Sequence, residues 1–412
     1  MIEDILDFKG ITYTINTTEN CNLRCKYCYE TCKTSRTIEL KTAYRFIDLI
    51  YDNLERGEDF LGINRLKSQG PLGRYLPSFY EGCIWDFIGG DSLIDPDLLD
   101  KLFTRINTRH SLLSRELRRG WRASISSNGT LFEREDVRKF CEKWHKNLSL
   151  GVSIDGCPEI HNMNRVYPDG SGSMENILKY WDWYRKWFPL NSRTTKATCS
   201  KSTIPYLYDS LKFMHEELGM NWIHQNFIME DTGCTEDDYQ LLDKQLEKCV
   251  SYVLDHDDSL YWSMIDNNKL KEEPGTFETT SRCGSGIMPC CAIDGNIYPC
   301  FRWLPHTQNG KSGIMCVGNV EEGFAHPENF VRVQEGSIRA NCTKEEKCKD
   351  CKYEPECAYC IGGCYAEYGD FVRTTHICEI TKLICKWSEL YEKLYREKHK
   401  LAEEERVRWR KR

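Results

Sequence analysis

Through its first two thirds the chain alternates short strand patterns with helical stripes, and that rhythm admits few architectures. Strand-like segments run Ile11 to Ile15, Ile84 to Ile88, Ala123 to Ser127, Leu148 to Ile154, Thr195 to Thr198 and Trp222 to Ile228. Between them lie helical patterns. Glu39 to Glu55 spaces Ala43, Phe46, Ile47, Ile50 and Leu54 by threes and fours, further helices are predicted from Pro96, over about 133–145 and 173–188, and in 203–218 Ile204, Leu207, Leu211, Met214 and Leu218 make one stripe. Strands joined through helices pair in parallel by right-handed crossovers. The predicted fold class is α/β: a partial (β/α)6 TIM-like barrel, open on one side, whose reactive groups collect at the C-terminal ends of its strands.

The polar motifs fall at those ends. Cys21, Cys25 and Cys28 follow the first strand in Cys-Asn-Leu-Arg-Cys-Lys-Tyr-Cys. Electron-carrying 4Fe-4S clusters are closed by four Cys, so three thiols on one short loop hold three irons and leave the fourth open to a small chelating molecule. A zinc knuckle or a redox Cys pair is the alternative. Gly89-Gly90-Asp91 ends the second strand, Ser127-Asn128-Gly129 the third, and Ser153-Ile154-Asp155-Gly156 the fourth, with Glu159, His161 and Arg165 just beyond. Singly these read as a tight turn, an Asp-Gly turn and a satisfied structural histidine. Their recurrence on one rim is what points to a site.

Of 23 Cys, thirteen lie from Cys283 onward. The opening segment carries Glu3, Asp4 and Asp7 with no apolar core of a signal peptide, and no apolar run is long enough to span a bilayer. A cytoplasmic location is expected, where thiols stay reduced and clustered Cys points to metal. The formal net charge of −7 offers no footprint for nucleic acid, so neither nucleic acid nor membrane is an expected partner.

The loop Cys21-x3-Cys25-x2-Cys28, with Tyr27 before the last Cys, resembles the radical S-adenosylmethionine (SAM) superfamily. The resemblance implies that SAM chelates the open iron and is split to methionine and a deoxyadenosyl radical. It implies a SAM-binding set of Tyr27, Gly89, Gly90, Asp91, Ser127, Asn128, Ser153, Asp155 and Arg165. Asp91 stands where the family's Gly-Gly-Glu motif has Glu and reaches one methylene less far. Ser127-Asn128-Gly129 resembles Thr-Asn-Gly, and 153–165 resembles a stretch of peptide- and protein-modifying members. Arg165 is suited to the methionine carboxylate through its bidentate fork.

The C-terminal Cys field, with Asp294-Gly295-Asn296-Ile297-Tyr298-Pro299-Cys300, Cys348-x2-Cys351-x5-Cys357 and Gly362-Gly363-Cys364, resembles the SPASM extension of radical SAM maturases. That implies a small Cys-rich α+β domain with two auxiliary 4Fe-4S clusters, three clusters in all. The expected ligands are Cys283, Cys291, Cys300 and Cys364 for the first, and Cys348, Cys351, Cys357 and Cys378 for the second. The pattern carries a surplus Cys, so Cys290 against Cys291, Cys357 against Cys360 and Cys378 against Cys385 stay open, and zinc remains the rival for Cys348 and Cys351. The expected division is 1–260 for the barrel, 261–387 for the extension and 388–412 for a charged C-terminal helix.

The resemblance implies an enzyme, a radical SAM oxidoreductase maturing a ribosomally made precursor peptide. A Cys-containing peptide joined by sulfur-to-carbon thioethers is the leading product, with carbon-carbon crosslinking, epimerisation, sulfatase-type Cys or Ser oxidation or a small-molecule reaction as alternatives. Flavodoxin or ferredoxin is the implied electron donor. In sulfatase-maturating relatives an Asp that removes a proton follows the Tyr-Pro-Cys stretch, and here that position is Phe301. Leader recognition is expected at the insertion 61–80 or on the tail Ser388 to Arg412, against the plainer readings of a surface excursion and a solvated helix.

Overall fold

All six expected strands form, and the first four pair in the predicted parallel order. The computed structural model describes residues 11–30, 33–56, 82–115, 117–118, 120–266, 285, 288–308, 315–354 and 357–400; the insertion 61–80, Cys283 and tail residues 401–412 lie outside this set. Strands β1 (Ile11–Thr18), β2 (Cys83–Gly89), β3 (Trp121–Ser127) and β4 (Leu148–Val152) lie side by side, and β5 (Thr194–Cys199), β6 (Trp222–Phe227) and the short β7 (Tyr261–Trp262) make a second parallel sheet. Thr195 bridges the seam, its Oγ1 accepting from Ile154 N and lying 3.2 Å from Val152 O.

Alternation along each strand sorts the side chains. Tyr13, Ile15, Trp85, Phe87, Ala123, Ile125 and Leu150 are buried beneath the helices. Each Phe or Ile so placed contributes about 1.5–3 kcal/mol relative to exposure. The other face is polar: Thr14, Asp86, Ser124 and Ser149 sit in one register row across β1–β4.

The Cys-rich segment joins the same sheet. β8 (Cys290–Cys291) runs parallel beside β1, and β9 (Asn296–Tyr298) and β10 (Gly318–Asn319) follow antiparallel, giving the order β10-β9-β8-β1-β2-β3-β4.

Three helix expectations change in detail. The stripe in 203–218 is fully buried, yet Pro205 breaks its start into a 3-10 turn, followed by α and π turns. Residues 173–188 form two helices that meet at Tyr180. The expected boundary at 388 is corrected, because Cys378–His399 is one helix whose Ile380, Trp387, Ser388 and Tyr391 are buried. Its Trp387 Nε1 and Lys386 Nζ reach Asp243 at 2.6 and 2.8 Å on the helix Glu236–Asp255. That second helix, absent from the expected elements, is announced in the sequence by its Thr235/Asp238 capping box.

Candidate functional site

The loop carrying Cys21, Cys25 and Cys28 leaves the C-terminal end of β1 and is fixed by backbone. Arg24 N donates to Val166 O at 2.7 Å, Lys26 N to Asn164 O at 3.0 Å, and Cys28 N to Cys25 O at 3.1 Å. The end of β2 presses on its base: Gly90 N donates to Thr18 O and Asp91 N to Asn20 O, both at 2.9 Å. This contact explains the two glycines. A Cβ at Gly90 would lie 2.0 Å from Asn20 O, and at Gly89, with φ of +134°, 2.0 Å from Thr18 O.

The polar rim residues turn largely upon one another. Buried Asp91 accepts from Ser127 Oγ and Asn128 N, each at 2.9 Å, and from Leu93 N at 3.1 Å. Ser127 Oγ in turn accepts from Gly129 N at 3.0 Å. Asn128 Nδ2 donates to Asn22 Oδ1 at 2.8 Å and lies 3.9 Å from Cys21 Sγ, so Asp91, Ser127 and Asn128 form a clasp on the cluster loop. Ser153 stands half-buried at the rim, its N bonded to Ser127 O.

Arg165, expected to face a methionine carboxylate, is held by a carboxylate of the chain itself. Its Nε and Nη2 bond Asp155 Oδ2 and Oδ1 at 2.9 and 3.1 Å in a buried bidentate pair. Asp155 further accepts from the Tyr27 hydroxyl and from Thr198 N at 2.9 Å, so the pair ties the cluster loop to β4 and β5. The guanidinium lies 5.4 Å over the Tyr27 ring.

His161 is a satisfied structural histidine. Asp155 N donates to its Nδ1 at 3.4 Å; its Nε2 lies 3.0 Å from Ser173 Oγ, which donates to Arg165 O at 2.7 Å, so Nε2 carries the proton. Burial pushes its pKa from 6.5 down to about 4. The unfolded chain therefore binds the extra proton between those values, and stability rises with pH across that window. Acidification through it is expected to cost up to about 3 kcal/mol. The urea midpoint against pH checks this: His161→Gln flattens the slope, and an unchanged slope rules the assignment out.

Several residues with no place in the sequence reading belong to this region. Asn16, buried beside Gly89, has no hydrogen-bond partner at Oδ1 or Nδ2 among the described residues, nor has Thr14 at Oγ1. These orphaned polar atoms beneath the rim are what a polar ligand would satisfy. Asp86 on the concave face is pushed up by burial, against Lys196 of β5 and the Ser124 hydroxyl, which pull it down. Lys33 is paired with Glu30 at 2.7 Å. Although burial opposes its charge, Glu30 and the thiols of Cys28 and Cys21 raise its pKa. Burial, then Asp91, pushes the Cys21 thiol up to about 12, and burial raises Cys25 despite Arg165. Such thiols ionise when a metal supplies the positive charge; the donor set fits the implied cluster.

In the C-terminal field Cys348, Cys351, Cys357 and Cys378 line one cavity. Cys360 and Cys385 do not line it; Cys360 caps the helix Ile361–Tyr368, and Cys385 is buried in the C-terminal helix. The other set differs from expectation. Cys290, Cys300 and Cys364 share one buried cluster, whereas Cys291 belongs to the barrel core. Neighbours on a strand face opposite sides, so Cys290 replaces Cys291 beside Cys300 and Cys364. Phe301 packs on Tyr29 with ring centroids 6.0 Å apart, and Arg302 lies 4.6 Å over the same ring. Among the described residues no group of three His, Cys, Asp or Glu is arranged to hold a single metal ion, and no helix is long and apolar enough to cross a membrane.

No protein-family model matches the chain. It is 25% identical over 366 residues to a cysteine-type anaerobic sulfatase-maturating enzyme of Clostridium perfringens, covering 84% of this chain and 85% of that one. A Clostridium novyi enzyme of the same description is 23% identical over 359 residues, 82% and 84% of the two chains. An uncharacterized protein of Methanocaldococcus jannaschii is 26% identical over 200 residues, a match spanning 48% of this chain and 57% of that protein. Among solved structures, native anSMEcpe with bound AdoMet gives a TM-score of 0.66 at 15% identity, over 94% of this chain and 99% of that one. Streptococcus suis SuiB bound to precursor peptide SuiA gives 0.56 at 15% identity, over 90% and 76%. The partial barrel with its Cys-rich extension is a fold shared with these proteins.

Proposed function

We infer that this chain, a radical SAM enzyme with a SPASM-type extension, oxidatively modifies a peptide in the chamber beneath the Cys21–Cys28 loop. Three 4Fe-4S clusters and SAM are its cofactors, and when bound they supply a deoxyadenosyl radical able to take hydrogen from unactivated carbon. The chain's own residues do the rest. Asp91, Ser127 and Asn128 hold the loop, the Asp155–Arg165 pair fixes Tyr27 against it, and the polar row of β1–β4 faces the substrate. One observation carries the reading: β8 is annexed to the edge of β1, which sets Cys290 and its buried neighbours Cys300 and Cys364 beside the sheet that bears the SAM loop.

The finer proposal is a Cys-containing precursor peptide closed by thioethers, with flavodoxin or ferredoxin as donor in an anaerobic cytoplasm. The thiol loses a proton, the carbon loses a hydrogen atom to the deoxyadenosyl radical, and the one electron released as sulfur joins the carbon radical would pass to an auxiliary cluster, so each bond formed removes two hydrogens from the peptide. With Phe301 in place of the carboxylate of sulfatase-maturating relatives, half-buried Asp86 on the polar row of β2 is the carboxylate able to receive that proton. Sulfatase-type oxidation is the second reading, favoured by the Clostridium relatives. Both are tested by anaerobic incubation of the reconstituted, reduced protein with SAM and either a short Cys-rich peptide encoded beside its gene or a sulfatase-derived Cys peptide. Thioether formation predicts loss of two hydrogens per bond and thiols that resist alkylation. An aldehyde reactive toward hydrazides instead sustains the second reading, and unchanged peptides despite deoxyadenosine release defeat both.

A further inference from the structure

The cavity lined by Cys348, Cys351, Cys357 and Cys378 has a charged wall that the ligand pattern does not require. Arg373 lines it and is 3% exposed. Its Nη2 meets Glu354 at 3.3 Å, while its Nε and Nη1 have no hydrogen-bond partner among the described residues. Glu354 is shared, since Arg339 Nη1 reaches the same oxygen at 3.0 Å. One carboxylate thus faces two guanidinium groups, and a net positive charge is left against the thiols.

Burying N–H groups without acceptors forfeits their hydration with nothing in return, so the arrangement is unfavourable until something anionic fills the cavity. Four thiolates around a 4Fe-4S core carry net negative charge, and sulfurs accept hydrogen bonds. The segment is also held in place: Arg373 N donates to Cys342 O at 2.9 Å.

We propose that Arg373 is the counter-charge of the second auxiliary site, donating hydrogen bonds from Nε and Nη1 to cluster or cysteine sulfur and raising the cluster's reduction potential. This rests on the reading that an iron-sulfur cluster occupies the cavity. A fixed cation stabilises the more negative, reduced state, and hydrogen bonds to sulfur act in the same direction. Lys347 and Lys382 also line the cavity. The Lys382 side chain is 41% exposed and paired with Glu379, so solvent screens it.

The test is an anaerobic redox titration of the reconstituted full-length protein, followed by electron paramagnetic resonance, with iron and sulfide assayed in parallel. Arg373→Gln is expected to keep its iron and move one auxiliary midpoint to more negative potential. Arg373→Lys should fall between it and the parent, and Lys382→Gln should move the midpoint far less. A full iron complement with an unmoved midpoint in Arg373→Gln overturns the proposal, as does a shift no larger than that of Lys382→Gln. If Arg373→Gln loses iron, Arg373→Lys decides: loaded with an intermediate midpoint it sustains the proposal, and loaded with the parent's midpoint it overturns it. Cys351→Ala separates the underlying reading. Loss of about four irons per chain places a cluster in this cavity, and an unchanged iron content removes the cluster and the proposal together.

Discussion

Replacing Cys21, Cys25 and Cys28 together with Ala removes about four irons per chain and reduces deoxyadenosine release from the reduced protein to the level of a protein-free control. The fall exceeds the roughly 10–100-fold cost of losing a partner that only orients a metal ligand, because the ligands themselves are gone. The fold survives. The loop is anchored by Arg24 N on Val166 O, Lys26 N on Asn164 O and Asn22 Nδ2 on Thr130 Oγ1 at 2.7 Å, none of which uses a thiol. Iron assay, chromatography of deoxyadenosine and far-ultraviolet circular dichroism check the three parts separately. Continued SAM cleavage by the triple variant would mean that the cluster loop is not the seat of the radical chemistry.

The strands and their order were legible because parallel strands need crossover helices, and both periods are written in side-chain polarity. Cys21, Cys25 and Cys28 were legible because chelation demands a short spacing. Roles at the rim were harder to read. From sequence, Asp91, Ser127, Asn128 and Arg165 are polar groups on the rim, available to a ligand; in space Asp91 takes Ser127 and Asn128 while Arg165 takes Asp155, and no one-dimensional spacing encodes that. The choice between Cys290 and Cys291 depended on which face of β8 meets the barrel, and β8 is two residues long, too short for any period to show. Asn16 and Asp86 were hidden for the opposite reason. Asp86 stands between Ile84 and Ile88 on one face of its strand and Asn16 falls in an alternation of threonines, so neither is marked as part of a site until neighbouring strands bring Thr14, Asp86, Ser124 and Ser149 into one polar row.

Removing either partner of the Asp155–Arg165 pair is expected to destabilise the protein by about 3–5 kcal/mol, the range for an uncompensated charge left in a buried site. Burial alone opposes the charge on Arg165, and Asp155 foremost holds it; with Arg165→Ala the carboxylate keeps Tyr27 and Thr198 N but no cation. Lys is a poor substitute, since a single ammonium cannot make the two parallel bonds to Oδ1 and Oδ2. The double variant Asp155→Ala with Arg165→Ala should cost less than the sum of the singles by about 0.5–3 kcal/mol, the coupling of residues in direct contact. Urea unfolding of the four proteins closes that cycle. Because Arg165 is followed by Val166, whose carbonyl anchors Arg24, and Asp155 holds Tyr27, both singles should also release iron from the first cluster while sparing the C-terminal sites. Additive stabilities with full iron content would mean that the pair neither couples nor positions the loop, and a direct role for Arg165 toward a ligand carboxylate would then be restored.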